Sequence, residues 1–130
     1  MVRSLFRDKR LRSVPRVLIV EDSKTLAGLL KQAFNDNQYR AETAFDGREA
    51  AEKFNRTDYD LVVLDYHLPD TLGDKLLLLF REKRPQTAVI IMTADPQPEV
   101  AHRCMKSGAF ACLRKPFETE YLLEVCAKAR

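Results

Sequence analysis

Five side chains that can do chemistry lie at the ends of short apolar segments of this chain. They are Glu21, Asp22, Asp65, Thr93 and Lys115. Carboxylates that share one cleft repel one another unless a cation neutralises them, and an all-oxygen set of ligands is typical of Mg²⁺. With a hydroxyl and an ammonium opposite, such a cleft can receive a phosphoryl group on a carboxylate nucleophile. The residue types therefore indicate Mg²⁺-assisted phosphoryl chemistry on one of these carboxylates.

These groups can meet only if the segments that carry them lie side by side. The segments are short and apolar, and several are rich in β-branched residues, as is typical of strands buried on both faces of a parallel sheet. Strand and helix patterns alternate five times, which predicts right-handed crossovers with helices on both faces. We therefore expect an α/β fold, a doubly wound five-stranded parallel sheet with five helices. In such folds the ligand site lies at the carboxyl edge of the strands.

The periodicity gives approximate bounds and buried faces. The predicted strands are 16–20, 39–44, 61–64, 88–92 and 109–113. Ser23 is predicted to cap the first helix, and Ser107 and Gly108 to end the fourth. Helical spacing predicts that the side chains facing the core include Leu26, Leu29, Leu30, Leu76, Leu77, Leu78, Leu79, Val100, Cys104 and Met105.

Length and charge narrow the class of protein. The 130 residues correspond to one domain, and no apolar segment approaches the roughly 20 residues needed to span a bilayer. Residues 1–16 hold six basic side chains and one acid, whereas the other 114 carry a net charge of −2. A basic footprint for nucleic acid over the whole domain is therefore absent.

We interpret residues 1–15 as a basic arm or linker and residues 16–130 as the domain. An added helix using Leu5, Phe6 and Leu11 is the alternative for the arm, and electrostatic docking to an acidic partner or a phosphate backbone is its alternative role. The three cysteines have no CxxC spacing, and the N-terminus lacks the apolar stretch of a secretory signal. We expect reduced thiols and a cytoplasmic location.

Four motifs occur in order. They are Val17-Leu18-Ile19-Val20-Glu21-Asp22-Ser23, Leu61 to Asp65 with Pro69 and Gly73, Ile91-Met92-Thr93-Ala94, and Lys115-Pro116-Phe117. From Asp22 to Asp65, Thr93 and Lys115 the successive separations are 43, 28 and 22 residues. Over residues 16–130 the chain resembles the receiver domain of two-component response regulators, and this resemblance implies that the doubly wound sheet is flavodoxin-like.

The resemblance implies a role for each matching residue. Asp65 resembles the aspartate that accepts a phosphoryl group from phosphohistidine, and Lys115 and Thr93 resemble the lysine and hydroxyl that contact the phosphoryl oxygens. Asp22, Asp65 and the backbone carbonyl of His67 would bind Mg²⁺ directly, with Glu21 acting through water. Small Ala94 would leave room for the phosphate, and the Lys115–Pro116 bond would be cis.

The resemblance also implies partners and an output surface. A histidine kinase or histidine phosphotransfer protein would phosphorylate the domain, which is a switch and not an enzyme apart from its own phosphorylation and dephosphorylation. The face of the fourth helix, fifth strand and fifth helix would signal to an output domain or protein, or form a homodimer. No direct binding to nucleic acid or membrane is expected.

Several alternatives remain open on the residues. Asp65 alone would only end a strand or cap a helix, Lys115 alone would be a solvated charge, and the His67 ring could itself bind a metal. A scaffold that binds a partner without phosphorylation is the alternative function. Haloacid dehalogenases also use an aspartate nucleophile, but they expect a second acid where this chain has His67. Cys112 stands where many receivers carry an aromatic switch residue, so the route to the output surface is expected to differ.

Overall fold

The computed structural model describes residues 14–95 and 97–129, in which five strands and five helices alternate. The order is β1 (Arg16–Val20), α1 (Lys24–Asp36), β2 (Arg40–Ala44), α2 (Gly47–Arg56), β3 (Leu61–Asp65), α3 (Gly73–Lys83), β4 (Ala88–Thr93), α4 (Pro98–Lys106), β5 (Ala111–Arg114) and α5 (Thr119–Ala129). The strands form one parallel sheet in the order β2-β1-β3-β4-β5. The predicted fold class is confirmed.

The sheet separates two hydrophobic cores. Side chains alternate along the central strands, so that neighbours in β1 and β3 pack on opposite faces. Helices α2, α3 and α4 cover one face, where the rings of Phe54 and Phe80 stack at 4.2 Å between centroids. Helices α1 and α5 cover the other face with side chains such as Phe34 and Leu122. Burial on both sides explains why these strands are uniformly apolar.

Two helix ends match their sequence signals. The Ser23 hydroxyl accepts a hydrogen bond from the backbone N–H of Leu26 at 3.2 Å, which caps α1 as predicted. Just after the C-terminal end of α4, Gly108 adopts a φ of 103°, a left-handed conformation that favours glycine. The polypeptide therefore leaves α4 in a tight turn before β5.

Four predicted core side chains are instead exposed. Leu29, Leu78, Leu79 and Met105 are 45% to 65% exposed, so the prediction that they face the core is wrong. Helix α3 buries Leu76, Leu77 and Phe80, and the two leucines between them must then lie on the outer half of the helix. Strand β5 begins at Ala111, two residues later than predicted.

Two further predictions concern the N-terminal arm and the crossing of a membrane. Most of the predicted basic arm, residues 1–13, lies outside the described residues. Pro15 is buried, and its carbonyl accepts a hydrogen bond from the N–H of Arg40 at 2.8 Å, which joins the start of β1 to β2. Among the helices of residues 14–95 and 97–129, none is long and apolar enough to cross a membrane.

Candidate functional site

Parallel pairing brings the carboxyl ends of β1, β3, β4 and β5 to one edge of the sheet. Val20 at the end of β1 lies beside Leu64, and Asp65 at the end of β3 lies beside Met92. Glu21 directly follows Val20, and Thr93 directly follows Met92. Both residues therefore lie next to the end of β3. Asp65 is only 6% exposed, because strands lie on both of its sides.

Three carboxylates form a cluster at this edge. Glu21, Asp22 and Asp65 each offer an oxygen, and these oxygens lie within 4.8 Å of one another. Glu21 is buried at 1% exposure, whereas Asp22 is exposed to solvent. Burial raises the pKa of Glu21 above its ordinary value, despite hydrogen bonds from Lys115 and the N–H of Ser23 that lower it. An all-oxygen donor set with one side open to water fits Mg²⁺, which prefers oxygen ligands and retains several waters.

Lys115 bridges two of these carboxylates. Its Nζ lies 2.7 Å from Oε1 of Glu21 and 3.2 Å from Oδ2 of Asp65. Burial alone would lower the pKa of Lys115, but the hydrogen bond to Glu21 and the charge of Asp65 outweigh it and leave the pKa raised. With one ammonium and three ionised carboxylates, the cluster carries a formal charge of −2. A divalent cation would neutralise it.

Thr93 is the last residue of β4, and both its hydroxyl and its carbonyl accept hydrogen bonds. Its hydroxyl accepts a hydrogen bond from the N–H of Asp95 at 2.9 Å, and its carbonyl accepts one from the N–H of Lys115 at 2.8 Å. The second bond ties the segment after β5 to the end of β4. Ala94 beside it is exposed. The Lys115–Pro116 bond is cis, as predicted.

The loop between β3 and α3 passes close to Asp65. The backbone N–H of His67 donates to Oδ1 of Asp65 at 3.4 Å. The His67 side chain is exposed, and its ring centroid lies 5.0 Å from that of Tyr66. A Cβ on Gly73 would come within 2.9 Å of the Asp65 carbonyl oxygen and of Tyr66 Cα. Only glycine therefore fits where the loop returns to start α3.

Cys112 lies on the sheet face covered by α2, α3 and α4. It pairs with Ile91 in the sheet and is partly buried against the same core as Cys104. Burial raises the pKa of both thiols, that of Cys104 to about 11. All three cysteines of the chain are free thiols.

Two contacts beside the site were not predicted from the sequence. The Asp70 carboxylate accepts hydrogen bonds from the backbone N–H groups of Gly47 and Arg48 at 2.8 and 3.0 Å. The Arg103 guanidinium donates to the Tyr66 hydroxyl at 2.6 Å. Asp46-Gly47 signals a turn or helix start, but no sequence signal pairs it with an acid 23 residues away.

Comparisons with known proteins agree with this arrangement. The family model described as response regulator receiver domain matches residues 17–127. The transcriptional regulatory protein TrcR of Mycobacterium tuberculosis is 36% identical over 108 residues, which cover 83% of this chain and 42% of TrcR. This chain thus spans less than half the length of that relative.

Solved structures are similar over most of the chain. The CheY-like receiver domain protein of Methanospirillum hungatei JF-1 has a TM-score of 0.86 and 29% identity over 89% of this chain and 93% of its own. The BeF3-activated DrrB receiver domain has a TM-score of 0.83 and 26% identity over 89% of this chain and 97% of its own. With the family model matching nearly from β1 to the end of α5, this chain belongs to the response regulator receiver domains, which are signalling domains of two-component systems.

Proposed function

We propose that this protein is a Mg²⁺-dependent phosphoacceptor switch of a two-component phosphorelay, with Asp65 as the phosphoacceptor. The observation that carries the proposal is the bridge from Lys115 to Asp65 within a cluster of three carboxylates. An ordinary strand-end acid would be exposed and solvated, whereas Asp65 is buried beside two more acids and an ammonium. The similar receiver domain of DrrB is described as activated by BeF3, which supports a switch that is activated at a receiver domain of this kind.

In the proposed reaction, a carboxylate oxygen of Asp65 attacks phosphohistidine of a kinase or phosphotransfer protein. A P–O bond forms as the P–N bond breaks, and the histidine leaves. The ammonium of Lys115 lies 3.2 Å from Oδ2 of Asp65, and there it would stabilise the negative charge that develops on the phosphoryl oxygens. The Thr93 hydroxyl would exchange its bond to the Asp95 N–H for one to the phosphoryl group.

The acid cluster would hold the cation. Asp22, Asp65 and the backbone carbonyl of His67 are the proposed ligands, with Glu21 contributing through water. Bound Mg²⁺ would neutralise the carboxylates and the incoming phosphoryl charge. The formal charge of −2 on the cluster supports this assignment, because the ammonium alone leaves two negative charges unbalanced.

The output is proposed to be a population shift on the face of α4, β5 and α5, driven by better contacts to the phosphorylated site in one state. A separate output domain or protein, or a second copy of this chain, would read that face. The domain itself would not contact nucleic acid or membrane. We place the protein in the cytoplasm, with residues 1–15 as an arm, and an odd number of cysteines without CxxC spacing supports a reducing compartment.

The test is mass spectrometry of the intact protein after incubation with acetyl phosphate and MgCl₂. We expect the wild type to gain one phosphoryl group that hydroxylamine removes, as it does from an acyl phosphate. Asp65→Asn should gain none, and Asp36→Asn, which removes an exposed carboxylate at the end of α1, should behave as the wild type. Equal mass gain in wild type and Asp65→Asn, or none in either, would favour a scaffold that works without phosphorylation at Asp65.

A further inference from the structure

The start of α2 is capped by two carboxylates from different parts of the chain. Asp46, the residue before the helix, accepts from the N–H of Glu49 at 2.8 Å. Asp70, from the β3–α3 loop, accepts from the two donors that precede Glu49, the N–H groups of Gly47 and Arg48. These three N–H groups have no partner within a helix, so their acceptors must come from elsewhere. Asp70 thus supplies two of the three capping contacts from a distant segment.

The electrostatics of this contact favour an ionised Asp70. The hydrogen bond from Gly47 and that from Arg48 keep the pKa of Asp70 below its ordinary value of 3.8. A carboxylate at a helix N-terminus also interacts favourably with the helix dipole. Asp70 is therefore charged, and both of its oxygens are engaged, at neutral pH.

The packing shows that the loop and the helix start are in direct contact. A Cβ on Gly47 would come within 2.5 Å of Thr71 Cγ2 and 3.1 Å of Asp70 Oδ1. The loop therefore reaches the helix closely enough for bidentate binding only because residue 47 is glycine. This steric observation is independent of the hydrogen bonds, and it points to the same fixed position for the loop.

Asp70 lies at the tip of a tight turn whose base carries His67. The N–H of Leu68 donates to the Thr71 carbonyl at 3.1 Å, and His67 and Leu72 form an isolated antiparallel bridge. The loop closes where the N–H of Gly73 donates to the Tyr66 carbonyl at 2.6 Å. Because the turn is cross-linked by these bonds, anchoring its tip restricts the backbone at its base. That backbone is the one beside Asp65.

We propose that Asp70 is a positioning residue for the cation site, because its contact with the start of α2 fixes the loop that holds the His67 backbone beside Asp65. The inference rests on the proposed function, in which the His67 carbonyl is a cation ligand. Asp70 itself does not touch the acid cluster in this role. Its removal would instead let the loop move and so weaken cation binding.

The test measures Mg²⁺ binding by isothermal titration calorimetry with MgCl₂ and the full chain. For Asp70→Ala we expect a dissociation constant roughly 10-fold weaker than that of the wild type, in the range found when outer partners of metal ligands are removed. Asp46→Ala is the matched control, since it removes the other cap from the same helix end and leaves the loop contacts in place. We expect it to lower Tm as Asp70→Ala does, with the wild-type Mg²⁺ affinity. Asp70→Asn keeps a carbonyl oxygen as an acceptor and should rescue part of the affinity.

The outcomes separate this inference from the function on which it rests. An unchanged affinity in Asp70→Ala, or an equal weakening in Asp46→Ala, would overturn the positioning role while leaving the cation site standing. If Asp70→Ala does not fold by circular dichroism, the comparison is made between Asp70→Asn and Asp46→Ala, and equal affinities would overturn it. A wild-type protein that binds no Mg²⁺ would overturn the proposed function and this inference together.

Discussion

Replacing Lys115 by methionine should expose how strongly the buried acids depend on one ammonium. Methionine keeps an unbranched stem of similar length, so the change removes mainly the charge. It leaves Glu21, at 1% exposure, without its 2.7 Å partner, and Asp65 without the 3.2 Å one. Glu21 keeps a hydrogen bond from the N–H of Ser23 at 3.0 Å.

We expect this change to lower the free energy of unfolding by about 2–3 kcal/mol at pH 7.5 in EDTA. Breaking a fully buried pair costs roughly 3–5 kcal/mol, and a hydrogen bond to a charged group is worth about 1.5–3 kcal/mol. The lower part of that combined range applies because the Lys115 side chain is 20% exposed and Glu21 retains one donor. The loss would be a large part of the roughly 5–15 kcal/mol that stabilises a typical domain.

The loss should depend on pH in a defined direction. Burial raises the pKa of Glu21 above its ordinary value of 4.5, and removing Lys115 removes one of the contacts that lower it. In the variant, the pKa of Glu21 in the folded protein therefore lies further above its value in the unfolded protein than it does in the wild type. A raised pKa of an acid destabilises the fold as pH rises through the window above 4.5. The gap between wild type and variant should open as pH rises above that value and narrow below it.

Urea unfolding followed by circular dichroism measures this effect, because the chain has no tryptophan for fluorescence. The double variant Glu21→Gln with Lys115→Met removes the stranded charge and should be more stable than Lys115→Met alone. A single variant as stable as the wild type at pH 7.5 would refute the reasoning. So would a double variant no more stable than Lys115→Met, or a gap of the same size at pH 4.5 and pH 7.5.

Three further predictions concern other parts of the molecule. Gly28→Ala in α1 should raise the free energy of unfolding by about 0.5–1 kcal/mol in urea, because the added Cβ meets nothing within 4 Å. Gly73→Ala should lower it by about 1–3 kcal/mol and slow phosphorylation by acetyl phosphate, because its Cβ would press on the Asp65 carbonyl at 2.9 Å. Iodoacetamide at pH 7.5 should modify Cys112 before Cys126 in peptide mass maps, because burial raises the Cys126 pKa to about 12.

The parts of the fold that follow from local patterns could be predicted from the sequence. Continuous apolar segments identify strands buried on both faces, and alternation with helices makes those strands parallel. Parallel strands end at one edge, so the convergence of Glu21, Asp22, Asp65 and Lys115 could be expected before any contact was known. The cis Lys115–Pro116 bond came from the resemblance alone.

The failures share a physical cause. A run of four leucines in α3 contains no periodicity, so the exposure of Leu78 and Leu79 could not be derived from it. In α4 the helix period would have allowed Met105 inside, but the path of the helix over the sheet leaves it 46% exposed. The bonds from Asp70 to α2 join residues more than 20 positions apart. Such contacts depend on the finished tertiary structure.

Arg103 on α4 contacts both the residue after β3 and the start of α3. Its guanidinium donates to the hydroxyl of Tyr66, the residue after Asp65, at 2.6 Å, and its Nε lies 3.5 Å from Oδ2 of Asp74 on α3. A hydrogen bond of this kind is lost once its heavy atoms separate by roughly 3.5 Å. A shift of about 1 Å between the Tyr66 hydroxyl and the Arg103 guanidinium therefore breaks the bond, unless the Arg103 side chain follows. A displacement of Tyr66, next to Asp65, therefore reaches α4 through Arg103 only as far as this half-exposed side chain does not readjust, and that link does not pass through Cys112.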